Sequence, residues 1–538
     1  MKKLIFSEKY YGFYAFLGTF FLYLLYFTFF EAYLNSDDDR PMSMLAAGVF
    51  NESSEHLLFQ NILMGLFFKS LYALQKWQWY DVWMLLMLFL SHWAIFYSLL
   101  RLKIHFWISF LFISYLIASQ LSYINFTTTS AYLGIAGMLL FFSELKQNQN
   151  KFVLPTFLLI FSSLIRFQST VLVTILFVPF FLYQIWAAQI QWKNLVKFLG
   201  LSFFLMTFFV VFDKIYTENL SPEWKKVYEF QKVRPQFFDY DAIPMKPYEE
   251  VYKKYHFSEN DFMLFKSFVF YWADPDFYSS QRLNSMLSEV DRMSIKYIRL
   301  RGIKEIPYKI WTILWQKKEF LLFLFAFILA FFPYSPKKTL YIGVHLSMIF
   351  AMYVLFILFL KTVHYVDYVI FSVLILLSIL VSDRKFHFVF APVFAILYFL
   401  MPVLPQKTDV VQNNEAFITT LNTKTPYLWL TESPFSFMDM KLFADIYKYQ
   451  NYNFVSFNAP YTKKHNQKYK IQIPAKDLID QPEIVLIFTK RSASMLKYYQ
   501  IYMQEHEQKS VFFEKIGERY GYELYKAKSG FLNIQKKD

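Results

Sequence analysis

Apolar residues along this chain gather into runs of roughly 18 to 25, broken by short polar connections, and that is the length an α-helix needs to cross a bilayer core. Read against the flanking Lys and Arg, the runs predict spans near 11–34, 80–100, 104–124, 128–145, 152–167, 169–189, 198–216, 318–334, 339–360, 366–382 and 386–404. That makes eleven crossings. With the N-terminus on the cytoplasmic side, the cytoplasmic connections hold Arg101 and Lys103, Lys146 and Lys151, Lys193 and Lys197, Lys337 and Lys338, and Arg384 and Lys385. Short loops therefore obey the positive-inside rule throughout. Three long polar segments then share the extracytoplasmic side: 35–79, about 213–317, and everything after 405. The run 152–167 is short for a full crossing. Merging it with 169–189 would invert every later loop, so two helices of partial depth are expected there.

The first long loop has helical content, because "PMSMLAAGVF" opens with Pro at a first helical position and "LLFQNILMGLFFKSLYALQ" repeats apolar residues at helical spacing. It is expected to lie along the membrane surface. The second loop mixes charges with Tyr, Trp and Phe in an amphipathic pattern, which predicts helices packed over the membrane domain. After residue 406 the runs "PYLWLT", "YNFVSF", "EIVLIF" and "VFFEKIGERYGYELYK" read as strands, alternating with helix-like stretches near 437–449 and 491–505. The expected fold is an all-α polytopic membrane domain over 1–405, with extracytoplasmic helical loops, followed by a small α/β or α+β soluble domain over 406–538.

Composition narrows the chemistry. The 538 residues are 56% hydrophobic and 22% aromatic, and a net charge of +14 is spread as ones and twos between apolar runs, where it orients helices and gives no nucleic-acid footprint. Cysteine is absent, which excludes disulfides, thiolate nucleophiles and cysteine metal sites. Neither GxGxxG nor GxxxxGK[ST] occurs, so nothing marks a dinucleotide site or a phosphate-cradling loop. The basic start "MKKLIFSEKYYG" precedes an apolar stretch too long for a signal peptide, and an uncleaved first span is expected.

Asp37, Asp38 and Asp39 follow that span directly. Three adjacent carboxylates at a membrane surface disfavour full ionisation, so at least one should hold a raised pKa and act as a better base towards a hydroxyl. The competing reading makes one of them the cap of a helix starting at Pro41 and leaves the others as solvated loop. Arg166, in "SSLIRFQST", ends a short apolar run, where it either pairs structurally, snorkels to the interface, or meets an anion. Lys361 and His364, in "KTVHYVDY", connect two later spans on the outer side and suit either a phosphate or interfacial anchoring. Arg234, Asp239, Tyr240 and Asp261 stand among aromatics in the second loop, as sugar-holding candidates or as the loop's own core and surface ion pairs. Glu52, Glu55 and His56 offer a similar choice on the first loop, His56 with the two glutamates having a spacing compatible with a metal. His92, inside a span without an acidic partner, reads as a satisfied bundle residue.

The layout of a cytoplasmic N-terminus, an acidic motif after the first span, a membrane-lying loop, many spans and an outer C-terminal domain resembles the C-type integral membrane glycosyltransferases. The segments "NSDDDRPMSMLAAGVF", "NFTTTSAYLGIAG", "SSLIRFQST" and "EWKKVYEFQKVRPQFFDYD" are similar to segments of a bacterial branch with that layout. The resemblance implies a donor sugar on a polyprenyl phosphate or diphosphate, a hydroxyl acceptor on a glycan, lipid or protein, and a bacterial inner-membrane location. It also implies that an acidic residue of the first loop is the base, Asp38 being favoured, with Asp37 and Asp39 as alternates or as ligands of a divalent cation. Mg²⁺ or Mn²⁺ suits an oxygen-only ligand set. Arg166, Lys361 and His364 would face the donor phosphate, although the family often has an arginine or histidine in the later region and this chain has Lys361 and His364 there with no arginine. Two other classes stay open: a polytopic transporter or flippase, and a surface-glycan polymerase or ligase. Only 12 glycines and no internal repeat argue against transport.

Overall fold

The computed structural model describes residues 8–34, 38–49, 52–147, 149, 151–238, 244–266, 274, 276–290, 306–316, 335–359, 364–383, 387, 390–392, 394, 396, 408–429, 440–451, 453–455, 483–490 and 492–531. Its first part is helical: α1 (Tyr11–Phe29), α2 (Asp39–Ala47), α3 (Ile62–Leu74), α4 (Trp79–Arg101), α5 (Phe106–Leu121), α6 (Phe126–Lys146), α7 (Val153–Trp186), α8 (Trp192–Glu218) and α9 (Pro222–Phe238). Six helices among the described residues are long and apolar enough to cross a membrane: Glu8–Phe29, Trp79–Arg101, Phe126–Lys146, Val153–Trp186, Trp192–Glu218 and Pro336–Leu358. The expected eleven spans are thus matched only in part. The runs at 104–124 and 366–382 form the shorter apolar helices Phe106–Leu121 and Val366–Val381, the run at 318–334 lies outside the described residues, and so does most of 386–404.

α6 is the axis of the bundle, with every residue from Phe126 to Leu145 buried. Its start is set by Asn125, whose side-chain oxygen accepts from the Thr127 and Thr128 backbone N–H groups at 2.7 and 3.3 Å, the capping role expected of Asn before a helix. α8 is the opposite case. Phe203, Phe204, Phe208 and Val211 lie on its exposed surface, as a helix facing lipid requires.

α7 is not a straight rod. Arg166 leaves helical geometry at φ −158°, ψ 103°. Ser162 and Thr170, which a continuous helix would hold about 12 Å apart along its axis, touch through their hydroxyls at 2.6 Å. Phe152 and Phe181, from opposite ends of the segment, both pack on Phe141 of α6, with ring centroids 5.4 and 6.0 Å away. The segment is therefore a helical hairpin with Arg166 at its tip, as the short run before Arg166 predicts. Two glycines of α6 admit it: a Cβ on Gly137 would stand 3.0 Å from Leu159 Cγ and from the Pro155 carbonyl, and one on Gly134 would stand 3.2 Å from Ser162 Oγ.

The two ends of the bundle differ. One is basic, with Lys103 paired to Glu8 at 2.9 Å, Arg101 to Glu144, Lys146 to Gln189, and Lys337 donating to the Trp186 carbonyl at 3.4 Å. The other end gathers the start of α2, the start of α4, the start of α6 and the tip of α7.

The tail holds a five-stranded sheet in the order β2-β1-β3-β5-β4, from β1 (Pro426–Trp429), β2 (Asn453–Val455), β3 (Val485–Thr489), β4 (Lys509–Arg519) and β5 (Tyr522–Phe531). β2, β1 and β3 run parallel, while β5 pairs antiparallel with both β3 and β4, so the small mixed α/β architecture expected for the tail is present. β3 is central and apolar on both faces. Val485 and Ile487 join the membrane-domain core together with Phe417 and Tyr522, while Leu486 and Phe488 join Phe230, Phe237, Tyr252, Phe265 and Tyr278 of the second loop. The second loop and the tail thus share one core, helix Leu496–Glu507 lying between them.

Candidate active site at the first loop

The acidic run meets the bundle where four elements converge. α2 starts at Asp39, two residues earlier than the cap reading expects, and Asp38 occupies its N-cap position. The Asp38 carbonyl accepts from Met42 N at 3.0 Å, but its carboxylate makes no capping hydrogen bond. Asp38 is half-buried and Asp39 is fully buried, while Asp37 lies outside the described residues.

Asp39 is anchored on two sides. Tyr80 Oη donates to its Oδ1 at 2.8 Å, and the Phe126 backbone N–H reaches both carboxylate oxygens at 3.0 and 3.2 Å. Phe126 is the first residue of α6, so the carboxyl sits at a helix N-terminus, where negative charge is favoured. Burial nonetheless dominates and pushes the Asp39 carboxyl well above the usual range. The Tyr80 and Phe126 hydrogen bonds and the Arg166 guanidinium pull the other way, while Asp38 adds to the rise. A raised carboxyl in the triplet is thus present, with burial ahead of charge repulsion as its cause.

Arg166, at the hairpin tip, lies with its guanidinium 4.8 Å from the centroid of the Phe126 ring, a cation–π contact. It acts electrostatically on Asp39 and is half-buried. Around these groups, Gln60 Nε2 donates to Tyr80 Oη at 2.8 Å. Gln60 Oε1, Asn125 Nδ2 and Thr127 Oγ1 are buried polar atoms with no hydrogen-bond partner among the described residues. Such atoms are costly unless a partner arrives.

Arg40 and Asp81 complete the arrangement from behind. Their side chains, both fully buried, pair through Arg40 Nη1 at 3.1 and 3.2 Å to the two oxygens. Neither was singled out from sequence, nor was Tyr80. The signal available was Tyr80-Asp81, a phenol and a carboxylate at the very start of an apolar span, where an ionisable group needs a partner.

The remaining candidates scatter. Glu55 bonds Lys69 at 2.7 Å and accepts from Tyr216 at 3.1 Å; burial raises its pKa most, but the Lys69 hydrogen bond, its own backbone N–H and the charges of His56 and Lys69 together outweigh that and the net shift is downward. His56 packs against Trp224 with ring centroids 3.9 Å apart and planes tilted by 37°, and burial lowers its pKa. Glu52 is exposed, and Arg234 is half-buried on α9. Asp239, Tyr240 and Lys361 lie outside the described residues, and His364 opens the helix His364–Val381. His92 Nδ1 shares a hydrogen bond with Tyr23 Oη at 2.9 Å, while its Nε2 is buried with no partner among the described residues, so the satisfied bundle residue that the sequence predicts is satisfied on one side only.

Asp261 belongs to a different place, the joint between the second loop and the tail. Its Oδ1 lies 2.8 Å from His506 Nε2, and with Glu505 the three offer ligand atoms all within 4.8 Å of one another, a group that could hold a metal ion. Asp39, by contrast, already spends its oxygens on Tyr80 and Phe126.

Comparison of the chain with protein families, with curated proteins and with solved structures finds no match.

Proposed function

We propose that the protein is a membrane glycosyltransferase that moves a sugar from a polyprenyl-phosphate-linked donor to a hydroxyl of a glycan, lipid or protein at the extracytoplasmic face of a bacterial inner membrane. The observation that carries this reading is the meeting of Asp38, Asp39 and Arg166 at one end of the bundle, opposite the basic end. By the positive-inside rule the basic end is cytoplasmic, which puts the acidic turn on the outer side, where a lipid-borne donor and a water-borne acceptor meet.

In this reading Asp38 is the base. A general base must come within hydrogen-bond reach of the proton it takes, and half-buried Asp38 is accessible whereas Asp39 is enclosed. Asp38 accepts the proton of the acceptor hydroxyl as that oxygen forms its bond to the anomeric carbon. The bond from that carbon to the phosphate oxygen breaks, and its electron pair leaves with the phosphate, whose charge Arg166 meets. Inversion at the anomeric carbon follows from the single displacement. Gln60, Asn125 and Thr127 supply polar atoms, unpartnered among the described residues, that suit sugar hydroxyls or phosphate oxygens.

The test is sugar transfer in membranes supplied with radiolabelled polyprenyl-phosphate sugars and a cell-envelope acceptor extract. Wild type is compared with Asp38→Asn, Asp39→Asn and Arg166→Gln. Transfer that collapses in Asp38→Asn, with expression and folding retained, supports the reading. Transfer that Asp38→Asn leaves intact removes Asp38 as the base.

A further inference from the structure

The tail reaches back across the whole sequence to touch the acidic turn. Lys441 and Tyr33 form an antiparallel bridge, Leu442 N donates to the Ala32 carbonyl at 2.8 Å, and the Lys441 ammonium pairs with Glu31. Two main-chain groups of the same segment complete the buried ion pair: the Lys441 carbonyl accepts from Arg40 Nη2 at 3.1 Å, and Phe443 N donates to Asp81 Oδ2 at 2.8 Å. Gln78 Nε2 adds a bond to the Ala444 carbonyl at 3.3 Å. Phe443 holds φ at +63°, a left-handed conformation that a bulky residue adopts only where its surroundings demand it. Here the demand is visible, since its N–H is bound to a fully buried carboxylate.

Asp39 and Arg40 are neighbours in sequence, and so are their partners Tyr80 and Asp81. Two adjacent residues of α2 are thus held by two adjacent residues of α4, and the second pair is closed by the tail. We propose that residues 440–445 form a brace that positions the acidic turn, with Arg40 and Asp81 as positioning residues acting through it on Asp38. This rests on the reading of Asp38 as the base. The tail is then a working part of the site, and not a detachable binding module.

The chain has no cysteine, so a disulfide can be introduced without background. Tyr33→Cys with Lys441→Cys uses a non-hydrogen-bonded antiparallel position, where Cα atoms stand about 4.5 Å apart, within disulfide range. In the full-length protein in membranes, mild oxidation is expected to cross-link this pair, and the oxidised and reduced forms are expected to transfer sugar at the same rate. Asp81→Asn is expected to slow cross-linking and to lower kcat by about 10²-fold, as a small misplacement of a reacting group does, with the KM for the donor little changed. Phe443→Pro, which removes the N–H and cannot hold the positive φ of this position, breaks the brace from the tail side and should act in the same direction. A second reporter needs no activity: the rate at which a maleimide labels Asp38→Cys should change when Asp81→Asn is added, while labelling of Glu250→Cys stays constant. If the oxidised form is dead until reduced, the segment is a lid and the brace is wrong. If cross-linking and Asp38→Cys labelling ignore both Asp81→Asn and Phe443→Pro, the brace is equally wrong. Absence of transfer by wild type would overturn the glycosyltransferase reading alone, because cross-linking and labelling still decide the brace.

Discussion

α4 carries a buried arginine–carboxylate pair at each of its ends, and the two are built differently. At its start Asp81 meets Arg40, both side chains at 0% exposure; at its end Arg101 meets Glu144, at 5% and 6%. Arg101 engages all three guanidinium nitrogens within its own end of the bundle, with Gln147 at 3.0 Å from Nε, Gln149 at 3.2 Å from Nη2, and Glu144 beneath. Arg40 takes its further partner from the tail and leaves Nε without one among the described residues. A self-contained network is what fastening helices needs. A pair whose completion depends on another part of the chain links two parts of the molecule, and it lies next to the residues with candidate chemistry.

The largest effects should come from cutting each pair. Removing one partner leaves an uncompensated buried charge, at a cost of about 3–5 kcal/mol. Arg101→Ala should lower stability by that amount, seen as a drop in the unfolding temperature of the purified protein, while sugar transfer per folded molecule stays at the wild-type level. Asp81→Ala should lose stability on the same scale and lose transfer as well. Equal loss of transfer in both would erase the distinction between the two ends.

Next in size is the acidic turn. Asp38→Asn should reduce transfer by about 10²–10⁴-fold, the range for a general base, with stability near wild type. Asp39→Asn should act chiefly on stability and its pH dependence. The folded pKa of Asp39 is raised, so its favourable contribution is complete below the unfolded value of about 3.9 and is lost as pH rises through the folded pKa. Replacing it with Asn should therefore flatten the stability profile above that point, which thermal unfolding over a pH series reads directly.

Much of this was legible beforehand because burying charge is expensive. A triple carboxylate after a span, and Arg166 closing a run too short to cross, stood out as charges that needed a reason, and both arrive at one end of the bundle. The division of labour between Asp38 and Asp39 was not legible, since it depends on which carboxylate points at the Phe126 N–H and Tyr80. The contacts made by Lys441 and Phe443 to Arg40 and Asp81 use main-chain atoms, which every residue has, so no side-chain pattern could announce them. The shared core of second loop and tail escaped for a related reason. The unbroken apolar run of β3 says that both faces are covered but does not name the cover.

The separation of the two ends can itself be altered, with a smaller effect. Gly137 of α6 receives the first arm of the α7 hairpin at 3.0 Å from a would-be Cβ, so Gly137→Val should overpack and cost about 1–3 kcal/mol. It should also displace Arg166 at the tip and weaken donor use more than the loss of stability explains. Gly200→Ala, with nothing within 4 Å of the added Cβ, is the matched control. If Gly137→Val left the KM for the donor unchanged, the hairpin would not be what places Arg166.

The smallest effect tests how the tail is held at its other attachment, far from the brace. His506 sits on helix Leu496–Glu507 against Asp261, with Phe277 and Tyr502 rings 4.5 and 4.6 Å away, and Tyr502 Oη bonds Asp274 at 2.5 Å. Burial lowers the imidazole pKa, but the Asp261 hydrogen bond and the charges of Asp261, Glu505 and Asp274 overcome it, and the net shift is upward. A raised folded pKa means that the contact stabilises the joint fully below the unfolded value of about 6.5, and that this contribution fades as pH rises through the folded value. Hydrogen exchange along Leu496–Glu507 should therefore quicken from mildly acidic to mildly alkaline pH, and His506→Gln should make it insensitive to pH. Any pH response at the Arg40–Asp81 end comes from Asp39 beside it and should survive His506→Gln, because no histidine is among the pair's partners in the described residues. A pH response at the brace that His506→Gln abolished would mean that the two attachments open together, and the tail would then be one lever instead of a body pinned independently at two points.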